Sequence, residues 1–167
     1  MRWSRSLRLP IALAALSLSA AACSQQPAAP APPAAAMVPA KHPISGLDVI
    51  PLRISQNGKV HTFRVEMART MEQQQKGLMF RTAMEPDEGM LFPSDTAEQR
   101  SFWMKNTVIS LDIVFIDPDH LISNIAANAV PYSLDPINSA GAAIAVLELN
   151  GGRAAQLGIT PGARVTW

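Results

Sequence analysis

Apolar and polar residues alternate along residues 49–56 and again along residues 59–67, and Asn57-Gly58 stands between the two runs. Alternation is the mark of a half-buried strand. Asn-Gly favours a two-residue hairpin turn because both central residues take positive φ. Pairing across that turn sets Ile54 opposite His61, Leu52 opposite Phe63 and Ile50 opposite Val65, which gathers the apolar residues on one face. Arg53, Arg64 and Glu66 fall on the other face, where a solvated surface is expected. Thr70 and Gln73 then form a capping box ahead of residues 71–76, and Gly77 occupies the C-cap position of the short helix this predicts.

Further along, residues 85–89 read as an acidic turn and 90–92 as a brief strand ended by Pro93, with 94–100 a turn or a single helical turn. The organising stretch runs from Phe102 to Asp117: two large aromatics and a turn-forming Asn106-Thr107 pair lead into an apolar strand over 108–117. Asp117-Pro118-Asp119 turns the chain into a returning strand over 121–127. Residues 131–140 read as a loop, 143–149 as a second buried strand, 153–157 as a short helix capped by Gly158, and 163–167 as a last strand. Many short strands with two short helices predict a β-rich α+β domain, a curled or barrel-like, mostly antiparallel sheet.

The first 43 residues follow a different pattern. Arg2, Arg5 and Arg8 precede an apolar stretch at 9–18, and Ala20-Ala21-Ala22 precedes Cys23, the sole cysteine. This is the layout of an export signal over 1–22, with Cys23 placed for lipid attachment after cleavage; plain cleavage and secretion is the alternative. Residues 23–43 are rich in Ala and Pro and read as a tether, leaving 44–167 as the globular domain. The expected location is therefore the periplasmic face of a membrane, with Ser24 after the cysteine favouring the outer membrane. Beyond Cys23 all thirteen acids remain but three of the fourteen bases are lost, a net charge of −2. Without a basic cluster, nucleic acid is not an expected partner. With one cysteine, packing has to hold the fold, and a domain of this length buries enough surface for that.

Two carboxylates interrupt apolar strands. Asp112 lies within the run Val108 to Ile116, and Glu148 lies between Leu147 and Leu149. An ionised carboxylate buried there is costly unless paired or hydrogen-bonded. If their faces meet they form a catalytic acid/base pair, one carboxyl raised by burial and the other ionised. Otherwise each caps a turn or pairs with Arg81, Arg100 or Lys105. Trp103, Phe102, Phe80, Phe92 and Tyr132 near Asn106 offer a stacking surface of the kind that lines carbohydrate and small-ligand pockets. Asn150-Gly151-Gly152 before a short helix can present backbone N–H groups to an anion. Met79, Met90 and Met104 raise copper(I) thioether ligation, but no His or Cys is interleaved with them and core packing is the expectation. The sequence carries no metal-ligand spacing and no cofactor fingerprint, so neither is expected.

Five segments, in order Gly77-Leu78-Met79-Phe80-Arg81, Gly89-Met90-Leu91-Phe92, Phe102-Trp103-Met104-Lys105-Asn106-Thr107, Leu111-Asp112-Ile113 and Val146-Leu147-Glu148-Leu149-Asn150-Gly151-Gly152, closely resemble the uncharacterised family catalogued as domain of unknown function 192. The resemblance spans roughly residues 52–165. It implies a compact β-rich domain, often exported, and brings no settled activity. The expected function is a lipid-anchored binding or accessory module for a cell-envelope component, a glycan, peptide or small molecule. Its ligand site is drawn from Arg81, Trp103, Asn106, Asn150 and Gly151 together with Asp112 and Glu148. A glycan hydrolase or transferase using Asp112 and Glu148, and a purely structural scaffold, are the alternatives.

Overall fold

The computed structural model describes residues 40–167; the expected export signal, Cys23 and most of the expected Ala/Pro tether lie outside the described residues. Eight strands and two helices follow in the order β1 (Ala40–Lys41), β2 (Asp48–Gln56), β3 (Lys59–Met67), α1 (Met71–Lys76), β4 (Glu88–Phe102), β5 (Leu111–Ile116), β6 (Ile122–Ala129), β7 (Ile137–Asn150), α2 (Arg153–Leu157) and β8 (Arg164–Thr166). The sheet order is β1-β2-β3-β4-β7-β5-β6, with β8 on the free side of β2. All pairings are antiparallel except β3 with β4. Leu121 at the start of β6 bridges to Arg164 of β8, and Ile122 N–H donates to Ala163 O. The sheet therefore curls until its two ends meet at that corner. No helix among the described residues is long and apolar enough to cross a membrane.

The hairpin has the expected register, with Ile54 on His61, Leu52 on Phe63 and Ile50 on Val65. α1 has the expected box, Thr70 accepting from Gln73 N–H and the Gln73 side chain accepting from Thr70 N–H, and it stops at Gly77. Three expectations need correction. β4 runs straight through Pro93, because the proline sits where the pairing with β7 shifts register and a bulge spares the hydrogen bond it cannot donate. β7 starts at Ile137, six residues before the apolar segment, and its first half pairs with the polar end of β4. Ala40–Lys41, the end of the expected tether, pairs with β2 as β1.

Two cores occupy the two faces of the sheet. The inner one collects Leu52, Ile54, Phe63, Val65, Leu91, Val114, Leu147, Leu149 and Val165. The outer one collects Met90, Phe92, Ile113, Phe115 and Val146 of the central strands, roofed by Leu78 and Met104 from the connecting segments. Alternation along β5 and along residues 145–149 of β7 turns successive side chains to one core or the other, and it separates the two carboxylates.

Candidate functional site

Asp112 pairs in register with Leu149, and Glu148 with Ile113. Leu149 belongs to the inner core and Ile113 to the outer one, so the two carboxylates point to opposite faces of the sheet. The catalytic pair that the sequence allowed as an alternative, provided the two faces met, is not formed. The one-residue offset between adjacent strands is the physical reason.

Asp112 is fully buried and spent on backbone. Its Oδ1 accepts from Asn128 N–H at 2.9 Å and Gly152 N–H at 2.8 Å, and its Oδ2 accepts from Ala154 N–H at 2.8 Å. These donors include the Gly-Gly turn and the first turn of α2, so the anion that the Asn150-Gly151-Gly152 segment binds is the protein's own Asp112. Gly151 is required by close approach, since a Cβ there would lie 2.5 Å from Ser110 Oγ. The Asn150 side chain donates to Met84 O and Glu85 O, both at 3.0 Å. Asn150 and Gly151 line a shallow depression with Arg153, apart from Trp103.

Arg81 is also spent. It is buried and bonds Glu66 through two parallel contacts of 3.0 and 3.1 Å. Ser45 Oγ bonds Glu66 Oε2, and His42 Nδ1 lies 3.5 Å from the same oxygen. Glu66 is thus buried rather than solvated. A cavity of about 690 Å³ flanked by Ile44, Gln73 and Phe80 includes Arg81 in its wall, but the charge there is already matched by Glu66.

Glu148 is different. It is 5% exposed, and no hydrogen bond or ion pair to its carboxyl is formed among the described residues; since no side-chain oxygen sealed in the core is left without a partner, its carboxyl oxygens reach the open space of the cavity they line. Burial without a partner pushes its carboxyl up from 4.5 to about 8. It sits in one row across the outer face, Glu66 to Met90 to Glu148 to Ile113. Of the two acids in that row, Arg81 neutralises only Glu66. Gly89 lets β4 come this close to β7, because a Cβ at that position would stand 2.6 Å from Glu148 O.

Glu148 belongs to the lining of a cavity of about 490 Å³ between α1, the end of β4 and the 103–107 turn. α1 is tied over the sheet by Gln74, whose amide donates to Ala68 O and Pro93 O and accepts from Arg100. Phe92 and Phe102 meet edge-on at 5.1 Å and form the apolar wall. Trp103, 50% exposed, stands at the edge with Lys105 Nζ 5.1 Å from its ring centroid, a cation–π contact. Asn106 is not in the lining. It turns the chain at φ 55°, accepts from Phe80 N–H at 2.9 Å, and its amide contacts Met79 Sδ at 3.8 Å.

Phe80 and Tyr132 also have positive φ, 65° and 62°, although both are bulky and exposed. Their N–H groups donate to Asn106 O and Thr107 O. Left-handed backbone costs about 1–2 kcal/mol at such residues, and strain of this kind gathers at ligand clamps and active sites. Met90 and Met104 are core residues. Among the described residues, no group of three or more His, Cys, Asp or Glu could hold a metal ion. Of the residues singled out from the sequence, Glu148, Trp103, Phe92 and Phe102 line this cavity, whereas Gln74, Lys76 and Thr107 were not anticipated there. The capping box of α1 was the available signal, since a six-residue helix just before Gly77 has to lie across something.

Residues 52–167 match the model of the family DUF192, described as Uncharacterized ACR. The chain belongs to the DUF192 family. The crystal structure of a protein of unknown function from Novosphingobium aromaticivorans DSM 12444 is similar at 52% identity. The match covers 79% of this chain and 94% of that one, with a TM-score of 0.76. A protein from Sinorhizobium meliloti 1021, provisionally described as a transcription regulator, is similar at 40% identity. That match covers 72% of this chain and 94% of the other, with a TM-score of 0.70. No curated protein matches.

Proposed function

We propose that this DUF192 protein is an exported, lipid-anchored binding module for a cell-envelope component, and that its ligand occupies the cavity beneath α1. The observation that carries the reading is Glu148, a buried carboxyl with no partner among the described residues, lining a cavity whose edge is an exposed tryptophan. An apolar hollow with a few unspent polar groups is how small-molecule sites are commonly built, and a strongly perturbed carboxyl in a cleft marks a functional candidate. The two-carboxylate hydrolase loses its support because Asp112 faces the other core. A pure scaffold has no use for an unpaired buried acid beside a polar hollow. DNA binding, suggested by the description of the Sinorhizobium protein, finds no basic cluster in the chain and no helix longer than six residues among those described. Cys23 and the residues before it support the anchor.

The test is a thermal-shift screen of glycan fragments, short peptides and small acids and amines. A ligand at a hundred times its Kd stabilises by about 2.7 kcal/mol, a shift of several degrees. The stabilisation is expected to vanish in Glu148→Gln and Trp103→Ala and to persist in Asp112→Asn. A hit that survives both cavity variants, or no hit in any class, rejects the site. Replacing Cys23 by Ala is expected to move the protein from the membrane fraction to the soluble one.

A further inference from the structure

We infer that the cavity takes a small zwitterion, an amino acid or short peptide, its ammonium group on Glu148 and its carboxylate among Lys76, Arg100 and Lys105. This rests on reading the cavity as a ligand site. Four ionisable residues line it, and their exposure orders them by depth: the single acid, Glu148, is buried, Arg100 is half-buried, and Lys76 and Lys105 are exposed. The floor is therefore negative when ionised and the mouth positive. A simple anion would be met at the mouth but would leave Glu148 unpaired. A simple cation would have to pass three bases and leave them unmatched. A molecule with a positive head and a negative tail satisfies both ends, as electrostatic complementarity requires.

The mouth is not saturated. Lys76 makes no ion pair among the described residues, and Lys105 rests on the Trp103 ring. Arg100 is shared between Gln74 and an exposed contact to Glu98 at 3.7 Å. Between floor and mouth the wall is aromatic, which suits a ligand with an apolar or aromatic body.

Proton linkage gives the inference a signature. The elements packed around Glu148 present Met90 from β4, Ile113 from β5, Lys76 from α1, and Lys105 and Thr107 from the turn, with Arg100 further along β4. Glu66, two strands away in the same row, is held by Arg81. Glu148 is the group in the cavity whose ionisation an ammonium ligand must complete. Burial keeps it protonated in the empty cavity, and binding an ammonium expels that proton. Affinity therefore falls about tenfold for each pH unit below neutrality.

The experiment is a calorimetric titration of the full-length chain with alanyl-phenylalanine, free phenylalanine, N-acetyl-alanyl-phenylalanine and alanyl-phenylalaninamide at pH 7. The dipeptide or the amino acid binds, whichever is the right length, and each blocked dipeptide binds at least tenfold more weakly than the dipeptide itself if that is the ligand. The successful ligand binds about tenfold more weakly at pH 6. Glu148→Gln, verified as folded by near-ultraviolet circular dichroism, loses the preference for a free amine. Lys76→Gln with Lys105→Gln loses the preference for a free carboxylate. Equal binding of the acetylated dipeptide, or no binding of any of the four to folded protein, overturns the zwitterion. If a hit from the broader screen still depends on Glu148, the binding module survives that result; if none does, both readings fall.

Discussion

Replacing Asp112 separates a structural carboxylate from a functional one. In Asp112→Ala three backbone N–H groups, of Asn128, Gly152 and Ala154, lose their acceptor at once. A buried donor left unsatisfied costs about 1–3 kcal/mol, and Asn128, at an exposed position, recovers part of its loss from water. The expected destabilisation is about 4 kcal/mol, a large fraction of the ~5–15 kcal/mol that holds a domain together. Asp112→Asn keeps one oxygen, which still serves Asn128 and Gly152, but turns an NH₂ group toward Ala154 N–H. Its cost is about 2–3 kcal/mol. Urea unfolding followed by tryptophan fluorescence measures both, and the order Ala worse than Asn is part of the prediction. Hydrogen exchange is expected to accelerate first at Gly152 and Ala154. Ligand binding in folded Asp112→Asn stays intact, because the side chain lies on the face opposite the cavity. An Asn variant as stable as the parent within about 0.5 kcal/mol, yet unable to bind, would refute the structural assignment.

Other outcomes follow from the same contacts. Glu148 binds its proton more tightly folded than unfolded, so stability falls as pH rises from about 4.5 to about 8 and is level beyond. At about 1.4 kcal/mol per pH unit the whole interval is worth roughly 5 kcal/mol, and Glu148→Gln removes this slope in urea unfolding at pH 5, 6.5 and 8. Arg81→Ala strands Glu66 in the outer core and costs about 3–5 kcal/mol, whereas replacing both partners by apolar residues restores much of the loss; urea midpoints distinguish the two. Gly89→Ala pushes a methyl group against Glu148 O, a backbone atom that cannot step aside. It costs about 1–3 kcal/mol by overpacking and loosens β4 from β7, which appears as faster amide exchange at Met90 and Leu149.

Local signals in the sequence carried much of the fold. Asn57-Gly58 set the hairpin register, and Thr70 with Gln73 located α1, because in both cases neighbouring residues decide the conformation. The long strands β4 and β7 were harder to read. Residues 94–100 and 137–142 are polar or small and become strands only by pairing with each other, partners about 40 positions apart. The site was legible in the same uneven way. That Asp112 and Glu148 are buried carboxylates needing an explanation followed from their apolar flanks. Which core each faces depends on the register between β5 and β7, and that is a tertiary fact. Arg81 with Glu66, a buried pair separated by fourteen intervening residues, left no periodic trace, and it removed from the candidate site a cation the sequence had offered to a ligand.

The account turns on Glu148 being an unspent acid. Carbon-detected nuclear magnetic resonance of the glutamate side-chain carboxyls, assigned by loss of one signal in Glu148→Gln, measures its ionisation in the ligand-free protein. A midpoint near 8 is the predicted result. A midpoint at the ordinary value near 4.5 would mean that the carboxyl already has a partner or open water, and the cavity would lose the group on which its function is argued.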